Sequence, residues 1–267
     1  MTTEFKYLNK PAERVDGKDK VLGKAKFIED FNLAGMLYTA VLRSPLPHAN
    51  IKFLDVSPAL NMPGVKAVIT PDDFVDHGNF GWPVKDAYVL AYKKVRQVGD
   101  PMAVVAAETK EAAKAAIQAI KFGLEELPVV SDMRHALDEF APLVPLEAPL
   151  GRGNLVNTHL VRFGDPDPIL EKCDHIFENT YDFAHQEHAY LETEGSFAIP
   201  GPDGSLTIYC NDQSPFINRD NLIMLLGLSG EKIRVIQPAV GGSFGGKDDI
   251  NYQNAAIVGL LALKTQR

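Results

Sequence analysis

The sequence predicts a protein of mixed helix and strand in two packed parts, and three observations carry that prediction. A continuous apolar run at 102–107 is followed by an Ala-, Lys-, Glu- and Gln-rich stretch at 109–119 whose apolar positions recur at helical spacing. A strand-like run at 120–124 comes next, and strand, helix and strand in that order indicate an α/β or α+β unit. At 267 residues the chain is long enough for about two domains of roughly 150 residues, each burying its own core. Finally, an aperiodic stretch rich in proline and glycine separates the two regions.

The elements follow in order. In the first region, 14–127, residues 35–43 read as a strand closed by the breaker run Ser44-Pro45-Leu46-Pro47. The run at 102–107 is apolar throughout, which predicts a strand covered on both faces. The helix at 109–119 and the strand at 120–124 complete the unit before Pro128. Residues 128–156 are the expected connector. In the second region, 157–267, strands are predicted at 175–183 and 205–210, with a Pro-Gly-rich turn at 200–204 before the latter. Ser214 and Pro215 suit the start of a helix running to about Leu226, with Gly227 at its end. A strand at 233–236, a glycine-rich turn and a helix at 251–264 follow. The chain stops directly after that apolar helix, which suggests a fragment or one part of a divided protein.

Composition excludes several function classes. With 35 Asp and Glu against 27 Lys and Arg, the net charge is -8, and no basic surface is visible for nucleic acid. Two cysteines, Cys173 and Cys210, cannot hold an iron–sulfur cluster by themselves, and both read as structural. The N-terminus lacks the apolar core of a secretory signal. The longest apolar stretch, 255–263, falls well short of the ~20 residues that span a membrane, so it predicts a buried helix. Cytoplasmic residence is the expectation. Trp82 reads as a core or loop anchor.

Two clusters could carry chemistry. Residues 240–249, VGGSFGGKDD, place four glycines within six positions between a strand and a helix. Such a turn lets main-chain N–H groups approach a ligand and sets them beside a helix N-terminus, suiting an anion. Gly241-x-x-x-x-Gly246-Lys247 matches most of a phosphate-binding P-loop. The next residue, however, is Asp248 rather than Ser or Thr, and with Asp249 it would repel a triphosphate. Pro238 in the preceding strand also argues against that reading. A plain surface loop is the other reading. The second cluster, 185–194, is HQEHAYLETE. His185 and His188 with nearby carboxylates are possible zinc ligands, but in extended chain residues three apart face opposite ways. Histidines satisfied by hydrogen bonds fit better. Gln186 is a neutral amide that can donate to an oxo group without adding charge.

The two clusters belong to a longer ordered set: RVDG at 14–17, GKAKF at 23–27, VLRSP at 41–45, PHA at 47–49, MPGV at 62–65, GDP at 99–101, VVAAET at 104–109, QEH at 186–188 with Leu191-Glu192, and FGGKD at 244–248. From about residue 10 onward the chain thereby resembles the N-terminal half of the molybdenum-binding subunit of the xanthine dehydrogenase/aldehyde oxidase family. That resemblance implies an α+β architecture, an α/β hammerhead domain followed by the first part of a molybdopterin-binding domain. It implies that Gln186 hydrogen-bonds the oxo ligand of molybdenum, and that Gly242, Phe244 and Gly245 present main chain to the metal's oxygen ligand and to the pterin. The family's motif usually ends in a substrate-facing glutamate. Here Asp248 stands at that place, one methylene shorter, which puts a purine substrate in doubt.

The reaction implied is hydroxylation of an electron-poor carbon in an N-heterocycle, or oxidation of an aldehyde. The implied cofactor is molybdenum-molybdopterin, in plain or cytosine-dinucleotide form. The implied partners are a C-terminal molybdopterin-binding part with the catalytic base, an iron–sulfur subunit carrying [2Fe–2S] clusters, and an FAD subunit. A non-catalytic assembly protein of the same fold is the alternative, with a P-loop nucleotide protein behind it.

Overall fold

The computed structural model describes residues 5–6, 8, 10–81, 84–148, 150–248 and 251–267. Trp82, the expected anchor, and Asp249 lie outside the described residues. The chain divides into two compact units, Leu37–Ala189, and Met1–Met36 with Tyr190–Arg267. A one-turn helix, α1 (Gly17–Val21), precedes the first strand.

The unit Leu37–Ala189 is built on strands β1 (Tyr38–Arg43), β2 (Ala49–Asp55), β3 (Val65–Ile69), β4 (Asn79–Phe80), β5 (Ala87–Tyr88), β6 (Lys94–Val95), β7 (Pro101–Ala107) and β8 (Lys121–Glu126). Its helices are α2 (Ser57–Leu60), α3 (Lys110–Ala119) and α4 (Asp167–Leu170). One sheet runs β1-β7-β3, antiparallel throughout, and a second runs β6-β2-β8. β7 is central, and Met102 to Ala107 are all fully buried, as an unbroken apolar run requires. Pro101, which has no N–H to give, opens the strand at a register shift. The strand expected from Gly35 starts only at Tyr38, and Gly35 itself, at φ 76°, is not in extended backbone. Helix α3 begins where the Thr109 hydroxyl accepts from the Ala112 N–H at 3.0 Å. Ala113, Ala116 and Ile117, spaced at i, i+3 and i+4, face the core against β1 and β7.

The unit formed by Met1–Met36 and Tyr190–Arg267 carries β9 (Ser196–Pro200), β10 (Leu206–Cys210), β11 (Ile233–Ile236), α5 (Pro215–Leu226) and α6 (Asn251–Thr265). β10 pairs antiparallel with β9 and parallel with β11. A parallel neighbour needs a crossover, and α5 supplies it. Helix α5 ends at Gly227, whose φ of 67° no residue with a Cβ adopts cheaply. Helix α6 buries Ala255, Ala256, Ile257, Leu261 and Ala262 against β9, β10 and α5, so the apolar stretch at 255–263 is core. Among the described residues no helix is long and apolar enough to cross a membrane.

Two local expectations are corrected. Residues 175–183 form no strand: every residue from 156 to 189 is exposed, and no strand among the described residues pairs with them. An extended segment without a partner has only water for its N–H and C=O groups. Pro238 lies outside β11, which ends at Ile236.

Candidate functional site

The glycine turn after β11 has three residues in the left-handed region: Gly242 at φ 92°, Gly245 at φ 94° and Phe244 at φ 52°. For the glycines this costs nothing, but for phenylalanine it is an outlier that the surroundings must impose. The Phe244 side chain gains no burial in return, since it is 76% exposed.

A carboxylate from the second sequence cluster meets both ends of this turn. Glu192 accepts the Gly241 N–H at 2.8 Å and the Lys247 ammonium at 2.9 Å, and so holds both ends of the turn. It also accepts the Ile28 N–H at 3.3 Å, while its own N–H donates to the Gly241 carbonyl at 3.2 Å. Within the turn the Gly246 N–H donates to the Ser243 carbonyl at 2.8 Å, and the Lys247 N–H to the Ser243 hydroxyl at 3.1 Å. Gly241 has no room for a side chain, as a Cβ there would lie 2.5 Å from the Glu192 Cβ. Lys247 is fully buried and its ammonium lies 4.9 Å from the centre of the Tyr190 ring. The Tyr190 hydroxyl in turn donates to Glu194 at 2.7 Å.

Burial works to raise the Glu192 carboxyl, and the donors outweigh it: the Gly241 N–H, Lys247, Asn211 and the Ile28 N–H hold it below the usual carboxylate range. The anion expected at the turn's N–H groups is thus, at Gly241, the protein's own Glu192. This removes the P-loop reading, because the lysine that would reach a phosphate is buried against a carboxylate.

Asp248, the expected substrate-facing carboxylate, is partly buried and accepts a hydrogen bond from the Ser214 hydroxyl. Ser214 therefore stands at the N-terminus of α5 without capping it through its side chain. The Gln213 N–H donates to the Lys247 carbonyl at 3.1 Å, so two neighbouring residues of the α5 entry hold the end of the turn. Gln186 lies in the other unit, on the exposed run 156–189. His188 lies on the same run with its Nδ1 3.8 Å from Glu187. Among the described residues no group of three or more His, Cys, Asp or Glu is arranged to hold a metal ion.

Sequence reasoning brought out Gly242, Phe244 and Gly245 but missed Glu192 and Lys247 as partners. A signal was present. Tyr190, Glu192 and Glu194 are partly buried while Leu191 and Thr193 between them are exposed, an alternation that turns three polar side chains to one side.

A metal-bearing organic cofactor can be tested against these residues by their chemistry. No cluster of metal ligands is needed where the cofactor brings its own, and an exposed ring on a strained, well-anchored turn offers main chain and surface to a large ligand. The residues fit such a group.

Comparison with known proteins supplies its nature. Residues 22–128 match the model of the aldehyde oxidase and xanthine dehydrogenase a/b hammerhead domain, and residues 151–267 match the molybdopterin cofactor-binding domain. The chain is 40% identical over 261 residues to a probable xanthine dehydrogenase subunit of Bacillus subtilis, covering 97% of this chain and 34% of that protein. It is 35% identical to the nicotinate dehydrogenase large molybdopterin subunit of Eubacterium barkeri, over 95% of this chain and 58% of that one. The aldehyde oxidoreductase from Desulfovibrio gigas superposes with a TM-score of 0.81 at 28% identity, covering 95% of this chain and 29% of the other. The chain thus spans between about a third and three fifths of the two relatives' lengths.

Proposed function

The chain belongs to the xanthine dehydrogenase/aldehyde oxidase family of molybdenum hydroxylases, with a hammerhead domain followed by a molybdopterin-binding domain, and from that premise we propose that it supplies part of the wall of a molybdenum-cofactor site. The domain limits that accompany the proposal are 14–127, 128–156 and 157–267. The observation that carries it is Phe244, held at φ 52° with its ring exposed on a turn anchored at both ends. Residues held in such backbone regions cluster at ligand sites.

Phe244 and Gly245 would offer main chain to the cofactor, with Gly242 giving the turn its shape. Gln186 would orient the metal's oxo group through its amide, contributing hydrogen bonds and no charge. When bound, the molybdenum–pterin group would supply the activated oxygen and accept the electrons. Asp248 would meet the substrate as an acceptor. Its side chain, one methylene shorter and linked to Ser214, reaches differently toward a purine, and the proposed substrate is an electron-poor N-heterocycle, xanthine-like or related, or an aldehyde. Relatives support that class, a probable xanthine dehydrogenase subunit, a nicotinate dehydrogenase subunit and an aldehyde oxidoreductase among them. The proposed partners are a C-terminal molybdopterin-binding part, a [2Fe–2S] subunit and an FAD subunit, in the cytoplasm.

Replacing Gln186 by alanine tests the assignment. Gln186 is exposed, so the denaturation midpoint should stay constant while turnover of the complete assembly falls by roughly 10–100-fold. Unchanged turnover would remove Gln186 from the site.

A further inference from the structure

We infer that Glu192 and Lys247 are a positioning clasp whose task is to hold the glycine turn in one ligand-ready conformation. The inference rests on the proposed cofactor reading and adds to it two residues that touch no ligand.

A buried ion pair is a poor stabiliser, because stripping water from both charges offsets most of their attraction, and apolar replacements of similar size often do as well. Lys247 is fully buried and the Glu192 side chain is 11% exposed, so both charges bear that cost. The geometry shows what is obtained in exchange. Glu192 joins the main chain at Gly241 to the side chain at Lys247, closing the turn on itself with an acceptor at 2.8 Å and 2.9 Å. A greasy pair would fill the same space but could not accept the Gly241 N–H. Between the two anchored ends sits Phe244, in a backbone region it would leave if either end were free. The Tyr190 ring against the ammonium and the Ile28 N–H on the carboxylate fix the clasp to the rest of its unit. Neither residue is catalytic, since each acts through the turn.

The test uses the full chain with Lys247→Met, Glu192→Met and the double variant, followed by amide exchange. Each single variant should speed exchange across 241–247 by roughly tenfold or more relative to β10 and α6. The double variant, with both charges gone, should recover the wild-type denaturation midpoint yet keep the fast-exchanging turn. In the complete assembly it should retain severalfold less pterin, measured as released fluorescent pterin per chain. A double variant that regains both stability and slow exchange in the turn shows a merely structural pair and overturns the inference. So does unchanged exchange in every variant that folds. A wild-type assembly without molybdenum or pterin would instead overturn the cofactor reading, while the exchange measurement still decides whether the pair holds the turn.

Discussion

Replacing Gly241 by alanine perturbs the site through one added methyl group. Gly241 is not in the left-handed region, so the backbone accepts alanine, and the loss of unfolded-chain freedom would by itself stabilise by about 0.4–1 kcal/mol. The opposing effect is larger. The new Cβ would lie 2.5 Å from the Glu192 Cβ and 3.4 Å from its Oε2, so Glu192 must retreat by about 1 Å to reach ordinary contact distance. Overpacking of this kind costs about 1–3 kcal/mol. The retreat also lengthens the bonds at 2.8 Å and 2.9 Å to Gly241 and Lys247, and a hydrogen bond to a charged group contributes about 1.5–3 kcal/mol. If one of the two is lost, the net destabilisation is about 1.5–5.5 kcal/mol. At ~2–4 °C per kcal/mol this lowers Tm by roughly 3–22 °C. Denaturant unfolding followed by far-UV circular dichroism reads it directly. A change below about 0.5 kcal/mol would refute the close approach of Glu192 to the turn.

Phe244→Gly removes the left-handed strain and little buried surface, so it should leave stability unchanged or raise it by up to ~1 kcal/mol, while the complete assembly holds less molybdenum. A clear loss of stability would show that the ring packs where the structure has it exposed. Burial pushes the Cys210 thiol up to about 12, whereas Cys173 is exposed; a thiol reagent at neutral pH should modify Cys173 in the native chain and Cys210 only after denaturation. Mass analysis showing rapid labelling at Cys210 would contradict its place in β10. The Glu192 carboxyl is depressed in the folded chain, so its contribution to stability is present above its unfolded value of about 4.3 and is lost as pH falls through the folded value. Denaturation midpoints should therefore fall more steeply below about pH 4.5 for wild type than for Glu192→Gln; parallel curves would show that the carboxylate is unpaired.

The sequence made some of these elements plain because a local signal agreed with the packing. Met102 to Ala107 is apolar without interruption and is buried on both faces; Pro215 and Gly227 bracket α5; residues 233–236 are β11 to the residue. β2 was harder to see, since its pairing with β8 shifts register between Ile51 and Phe53 and breaks the alternation that marks a strand. At 175–183 the pattern is strand-like, with Phe177, Tyr181 and Phe183 alternating with polar residues, yet a strand exists only where a neighbour takes its hydrogen bonds. The turn at 241–247 was legible from its glycines. Its anchoring was not, because the ion pair joins residues 55 apart, and a lysine in a glycine-rich turn looks like a ligand-binding group until its burial is known. The left-handed Phe244 likewise runs against local preference, so nothing in the neighbouring letters announces it.

Metal and pterin analysis tests the proposed function most directly, made on this chain alone and on the chain assembled with the proposed C-terminal molybdopterin-binding part. Stoichiometric molybdenum with released pterin, and turnover of an N-heterocycle or an aldehyde, are expected only in the assembly. An assembly devoid of molybdenum, or full metal loading and turnover by the chain alone, would contradict the proposed function.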